Sequence, residues 1–149
     1  MARSTEAHTE LCTLATKWLK GKNCGVVFDD TFRCAIREIP DAIGWRSNVS
    51  ILVECKVSRS DFKADSKKAC RDDGNHLGDW RFYLVPDGMI LLDELPEGWG
   101  LLYAKSGKVV EFHGVPSNTQ WLRDKPFTGE KEAEMQMFYS SLRRLQANG

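Results

Sequence analysis

The most informative part of the sequence is residues 40–67, which read PDAIGWRSNVSILVECKVSRSDFKADSK. Residues 49–57 alternate in the way that is typical of a β-strand with one buried face. Because successive side chains of a strand point to opposite faces, Glu54 and Lys56 share one face. Cys55 points to the other face, together with the valine and isoleucine side chains that precede it. The strand therefore carries its charged groups at one end and on one side.

The preceding run, residues 42–45, is expected to pair with this strand through a tight turn. If Ser47 and Asn48 are the central turn residues, the numbers of paired residues sum to 95, as 47 and 48 do. Asp41 then lies opposite Glu54, with Cβ atoms about 5 Å apart. Two carboxylates this close repel each other unless a cation lies between them, and Mg²⁺ characteristically binds one or two carboxylates. The register therefore predicts a divalent-metal site, with Lys56 placed to orient or deprotonate a water.

The spacing also has a simpler interpretation. Charged residues make up 28% of the chain, so an Asp followed later by Glu-x-Lys arises easily by chance. Pro40-Asp41 would then be an ordinary turn, and Glu54 and Lys56 a solvent-facing pair at the end of a strand. A slip of one residue in the register would also separate the two carboxylates.

A helix is predicted from Ser58 to about Arg71. Ser58 is a suitable N-cap, and Asp61 follows it three residues later, as in a capping box. Basic side chains recur every four residues along this helix and form a basic stripe that consists of Arg59, Lys63, Lys67 and Arg71. Such a stripe beside a metal site suits phosphate groups, because phosphate contacts dominate nucleic-acid affinity. It is equally compatible with a solvated helix face.

The remaining pattern predicts one α/β domain over residues 1–149, with a central mixed sheet flanked by helices. A first helix is expected at Thr5–Lys20 and a last one at Lys131–Gln146, where Met135, Phe138, Leu142 and Leu145 align on one stripe. The predicted strands are Gly25–Phe28, Phe32–Ile39, Ala42–Trp45, Val49–Val57, Trp80–Val85, Met89–Leu92, Gly100–Ala104 and Lys108–Phe112.

Composition restricts the class of protein. The 21 Lys and Arg balance 21 Asp and Glu, so only a local patch could attract nucleic acid. No apolar run approaches the ~18 residues of a membrane span, which favours a cytoplasmic protein without membrane partners. The five cysteines are scattered and are expected to be reduced and mostly buried. A zinc cluster of Cys70, His76 and His113 is conceivable but has unfavourable spacing.

The sequence resembles the motif that names the PD-(D/E)XK nuclease superfamily. Pro40-Asp41 is followed, after twelve residues, by Glu54-Cys55-Lys56. More narrowly, residues 53–67 resemble the MmcB-like family of DNA-repair endonucleases, a family assigned largely by motif. The likeness continues through residues 81–86 and 95–104 and into a closing helix at 142–145. It departs from the family pattern after Lys67, where aromatic residues are missing, and at a polar loop over residues 72–79.

The resemblance implies a restriction-endonuclease-like core and an endonuclease that depends on Mg²⁺ or Mn²⁺. It implies that Asp41 and Glu54 bind the metal together with the Cys55 backbone carbonyl, and that Lys56 is the catalytic lysine. Relatives often add an acidic residue from the first helix. Glu10 is the preferred candidate for that position, and Glu6 is less well placed.

DNA is the expected partner, bound through its phosphates by the basic stripe and without base specificity. Such a protein would serve DNA repair, recombination or phage DNA processing, and many relatives act as homodimers. Trp99 and Trp121 could stack on bases or cover an edge of the core. Asp61 and Asp65 are expected to cap the helix or fix the cations beside them. Two alternatives remain: an inactive nucleic-acid-binding module on the same fold, and an interaction protein that uses the fold as a scaffold.

Overall fold

In the described part of the chain, six strands form one sheet and hydrogen-bond in the order in which they occur along the sequence. The structure, a computed structural model, describes residues 5–36, 38–71 and 77–149, with the backbone only at 69–71. In chain order the elements are α1 (Glu6–Gly21), β1 (Val26–Asp29), β2 (Ala42–Arg46), β3 (Val49–Cys55), α2 (Arg59–Arg71), β4 (Trp80–Pro86), a 3₁₀ turn (Leu92–Glu94), β5 (Gly100–Lys105), β6 (Lys108–His113), α3 (Gln120–Arg123) and α4 (Lys131–Asn148).

The sheet is mixed, as expected for an α/β domain. β3, β4 and β5 run parallel, and antiparallel pairs extend the sheet on both sides. Parallel neighbours require crossover connections, and α2 provides the one between β3 and β4. Among the described residues, no helix is long and apolar enough to cross a membrane.

The β2–β3 hairpin has the predicted register. Ala42 pairs with Val53 and Arg46 with Val49, so the paired numbers sum to 95. Ser47 lies in the left-handed region with φ 55° and starts the two-residue turn. Few residues other than glycine adopt this conformation, which explains why the turn was a weak signal in the sequence.

The two faces of the sheet carry separate cores. α1 packs on one face, where Leu11, Ala15 and Leu19 are buried against alternate residues of β3 such as Ile51 and Val53. α2 and α4 cover the opposite face, through side chains that include Phe62 and Met137. Fully burying an aliphatic or aromatic side chain contributes roughly 1.5–3 kcal/mol. The strand alternation that was read from the sequence thus separates the two faces, and Glu54 lies on the α2 side.

Two of the predicted strands are wrong. The described residues of 32–39 form a loop, in which Phe32, Cys34 and Ile36 pack against the core on the α2 side. Their alternation imitates a strand because every second side chain is partly buried and the ones between are exposed. Residues 89–92 form a turn that leads into the 3₁₀ segment, with Ile90 fully buried.

The predicted apolar stripe of α4 does not face the core. Its members Met135, Leu142 and Leu145 are 68%, 60% and 65% exposed, and only Phe138 packs on the sheet. The buried positions are instead Met137 and the acidic Glu134. Glu134 accepts hydrogen bonds from the sheet, which fixes the rotation of the helix in a way that apolar periodicity alone does not reveal.

Candidate metal and catalytic site

Charged side chains meet where β3 ends. Glu54 is the penultimate residue of β3 and is in register with Tyr83 of the parallel strand β4. Lys56 is the first residue after β3, and its backbone N–H donates to the Leu84 carbonyl at 3.1 Å. The carboxyl ends of parallel strands are a common position for ligand sites in α/β proteins.

Asp41 reaches the same point from the hairpin partner. It directly precedes β2, and its Oδ2 accepts a hydrogen bond from the Cys55 backbone N–H at 2.8 Å. Its Oδ1 lies 3.2 Å from Nε2 of His8 in α1. The Asp41 carboxylate is therefore held between the sheet and the first helix.

The carboxyl groups of Asp41 and Glu54 influence each other's ionisation. Burial raises the pKa of Glu54 well above its usual value, and the negative charges of Asp41 and Asp65 add to this effect. Burial also opposes ionisation of Asp41, but hydrogen bonds from His8 and the Cys55 N–H outweigh it and lower the pKa of Asp41. The surroundings therefore favour the charged form of Asp41 and the neutral form of Glu54.

His8 is the cation of this cluster that comes from α1. Its hydrogen bond to Asp41 raises the pKa of the imidazole to about 9, against the opposing effect of burial. His8 therefore carries a positive charge at neutral pH in the metal-free protein.

Lys56 completes the cluster on the α2 side. Its Nζ lies 3.3 Å from Oδ1 of Asp65, and the Tyr83 hydroxyl donates to the other oxygen of Asp65 at 2.5 Å. Burial tends to lower the pKa of Lys56, but the negative charges of Glu54, Asp65 and Asp41 raise it overall. The lysine is therefore an ammonium group and not a free base.

The cluster is enclosed but open to solvent at one side. The side chains of Asp41, Lys56 and Asp65 are 17%, 19% and 24% exposed to solvent. These three side chains therefore keep contact with solvent. Hard oxygen donors beside an ammonium group suit hydrolysis of a phosphate ester.

No family model and no curated protein matches the chain. Among solved structures, the chain is similar to a protein of unknown function from Silicibacter pomeroyi, with a TM-score of 0.64 and 23% identity. The similarity covers 97% of this chain and 92% of the other. It supports the single-domain α/β architecture, and at this identity it shows the fold alone.

The structure brings together Asp41, Glu54 and Lys56, as the hairpin register predicts. Glu10 is not part of this cluster. It is exposed on α1, and residues two apart on a helix point in nearly opposite directions, so the helix that directs His8 at Asp41 directs Glu10 away from it. The contribution of the first helix is an imidazole instead of the expected carboxylate.

The basic stripe is only partly free to bind phosphate. Arg59 forms an ion pair with Glu94 and donates to the Met89 carbonyl at 2.8 Å, so it anchors the loop after β4. Lys63 and Lys67 are exposed to solvent. The side chain of Arg71 lies outside the described residues.

Other predicted residues have structural positions. Trp99 and Trp121 are 8% and 2% exposed, so they cover the core and are not available for base stacking. Ser58 caps α2 by accepting from the Asp61 N–H at 3.2 Å. Of the conceived zinc cluster, His113 is exposed, whereas His76 and the Cys70 side chain lie outside the described residues.

Sequence reasoning missed His8 and Tyr83. His8 lies 33 positions before Asp41 in the numbering, and no local pattern connects the two. The hydroxyl of Tyr83 is aimed at the site from a strand that reads as ordinary core. Of the two roles expected for Asp65, helix capping and fixing a neighbouring cation, its ion pair with Lys56 agrees with the second.

Proposed function

We propose that the protein is a metal-dependent nuclease that hydrolyses phosphodiester bonds in DNA. The observation that supports this most directly is the convergence of the Asp41 and Glu54 carboxyl groups at one end of the β2–β3 hairpin. Lys56 adds an ammonium group within reach of both. The resemblance of residues 40–67 to PD-(D/E)XK nucleases supports the same assignment.

The donor groups fit a hard divalent ion such as Mg²⁺ or Mn²⁺. Asp41 and Glu54 offer carboxylate oxygens, and the Cys55 carbonyl is the third donor that the resemblance suggests. The negative charge of Asp41 adds to the rise in the pKa of Glu54, and a divalent cation between the two carboxyl groups would relieve this repulsion. When bound, the ion would supply Lewis-acid activation of the scissile phosphate and of the attacking water.

The side chains of the protein would stabilise the transition state and position the substrate. Lys56, kept protonated by the surrounding acids, would stabilise the negative charge that develops on the phosphate in the transition state. Asp65 and Tyr83 would hold the lysine in position. Lys63 and Lys67 would contact flanking phosphates, which predicts binding without base specificity.

The direct test is cleavage of labelled DNA and RNA, single-stranded and duplex, by the full chain with Mg²⁺ or Mn²⁺ and with EDTA. We expect metal-dependent cleavage of DNA, and a loss of roughly 10²- to 10³-fold in Glu54→Gln and Lys56→Ala. Asp41→Ala should be similarly impaired. Glu10→Gln is the matched control, because it removes an exposed carboxylate from α1 and should retain wild-type activity.

Three outcomes would contradict the proposal. Metal-independent binding of DNA that Asp41→Ala and Lys56→Ala leave intact, with no cleavage, would identify a binding module on a nuclease fold. No binding at low salt and no cleavage would favour a scaffold role. Cleavage that survives Glu54→Gln would place the active site elsewhere in the molecule.

A further inference from the structure

A second group of metal-binding side chains lies next to Asp41, where α1 passes the end of β1. It consists of His8, Cys12 and Asp30, whose donor atoms all lie within 4.8 Å of one another. His8 and Cys12 are four residues apart in α1 and therefore share one face of the helix. The Cys12 Sγ is 3.7 Å from His8 Nδ1.

The chemistry of these donors differs from that of the carboxylate pair. An imidazole nitrogen, a thiolate and a carboxylate form a borderline-soft set that suits Zn²⁺ better than Mg²⁺. Three protein donors with a water in the remaining position are typical of zinc sites that keep one position open.

The surroundings of His8 are those of a metal ligand. Its Nε2 faces Oδ1 of Asp41 at 3.2 Å, so Nδ1 is the ring nitrogen that this contact leaves for an ion. The Cys12 Sγ lies beside the ring, 3.7 Å from Nδ1 and 3.8 Å from Nε2. Ligating histidines usually donate their other ring N–H to a carboxylate, which fixes the tautomer and the ring orientation. The Asp29 carboxylate accepts from the Thr31 N–H at 2.9 Å and so stabilises the turn that presents Asp30.

The group is accessible from one side. Cys12 is 4% exposed and is the most buried residue of the group, whereas His8 and Asp30 are half-buried at the surface. An ion can therefore enter from solvent and reach the thiolate without rearrangement of the sheet.

We propose that His8, Cys12 and Asp30 bind Zn²⁺ or a similar borderline divalent ion, at a site that adjoins the Asp41–Glu54 pair through the contact between His8 and Asp41. Binding releases the thiol proton of Cys12 and one imidazole proton of His8 to solvent, and the ion keeps its charge. The proposal does not depend on nuclease activity, because the site and its test require no nucleic acid.

The test is titration of the metal-free full chain with Co²⁺, a spectroscopic substitute for Zn²⁺, under a phosphine reductant that keeps the cysteines as thiols. We expect a thiolate-to-cobalt charge-transfer band in the near ultraviolet, visible d–d bands of four-coordinate intensity, and loss of both on addition of Zn²⁺. Cys12→Ser should abolish the charge-transfer band. Cys34→Ser, which alters a cysteine outside the group, should leave it unchanged.

Asp30→Asn keeps the test valid if Cys12→Ser fails to fold, because Asp30 lies in a surface turn. We expect this variant to retain the native circular dichroism and to weaken Co²⁺ binding at least about tenfold. The proposal is overturned if no charge-transfer band appears, if the band survives in Cys12→Ser, or if Asp30→Asn binds Co²⁺ as tightly as the wild type.

Discussion

At the scale of single residues, Lys56 is the group whose chemistry depends most on its neighbours. It is half-buried between acidic side chains that raise its pKa. A lysine in this state cannot accept a proton from water at neutral pH, so its role is electrostatic. The sequence indicated a lysine that could either orient or deprotonate a water, and the surrounding charges favour the first.

Asp65 is expected to act as a positioning residue through Lys56. Asp65→Asn weakens the ion pair to Lys56 while it keeps the size of the side chain, so we expect kcat to fall roughly 10- to 100-fold with little change in KM. The alkaline limit of the pH–rate profile should also move to lower pH, because the pKa of Lys56 falls when a negative charge is removed. Steady-state kinetics over a pH series would measure both effects.

Asp61→Asn is the matched control, since Asp61 is exposed on the first turn of the same helix. Asp65→Glu, which restores the charge, should recover part of the activity. If Asp61→Asn and Asp65→Asn lowered kcat equally, Asp65 would not be a positioning residue for Lys56.

At the scale of elements, the register of the β2–β3 hairpin could be predicted from sequence, whereas the buried face of α4 could not. The hairpin follows from local information, because strand alternation and a two-residue turn together set its register. The rotation of α4 depends on Glu134, which accepts hydrogen bonds from Ser50 Oγ at 2.7 Å and Trp45 Nε1 at 3.2 Å. These partners are more than 80 residues away, so apolar periodicity selected the wrong face.

Two methionines of α4 allow that correction to be tested. Met137 is fully buried and Met135 is 68% exposed. We expect Met137→Ala to lower the free energy of unfolding by about 2–5 kcal/mol, because it removes packed atoms and leaves a cavity. Met135→Ala should change the free energy by less than about 0.5 kcal/mol.

Urea unfolding followed by circular dichroism would measure both variants. Equal destabilisation, or a larger effect of Met135→Ala, would restore the apolar stripe of residues 135, 138, 142 and 145 as the packing face.

At the scale of the whole molecule, Asp79 connects parts that are distant in sequence. Its carboxylate accepts from the Ser50 N–H at 3.0 Å and the Gly129 N–H at 2.8 Å, and it pairs with Lys131 Nζ at 3.0 Å. The residue is 1% exposed, so these partners replace water entirely. They join β3, the start of β4 and the N-terminus of α4 around one charge.

This charge makes the stability of the fold sensitive to acid. Burial tends to raise the pKa of Asp79, but hydrogen bonds from Gly129 and Ser50 and the pairing with Lys131 lower it below 3.8. The stabilisation is therefore fully present above pH 3.8 and is lost as the pH falls through the folded-state value. We expect Asp79→Asn to lower the free energy of unfolding at pH 7 and to flatten its acid dependence.

Urea titrations between pH 2.5 and 7, conditions chosen around the unfolded pKa of about 3.9, would measure the slope. Asp87→Asn, at a surface turn, is a suitable control and should follow the wild-type curve. An unchanged acid slope in Asp79→Asn would assign the sensitivity to other carboxylates.

The order of the strands in the sheet has a consequence for how the protein is made. Among the residues that the structure describes, each strand hydrogen-bonds only to the strands next to it in the chain, so a growing polypeptide finds the earlier sheet partner already synthesised. The proposed nuclease cluster lies within residues 8–83, and β5, β6 and α4 are added after it. During translation, which proceeds from the N-terminus, the acidic centre can therefore assemble before β5, β6 and α4 have left the ribosome.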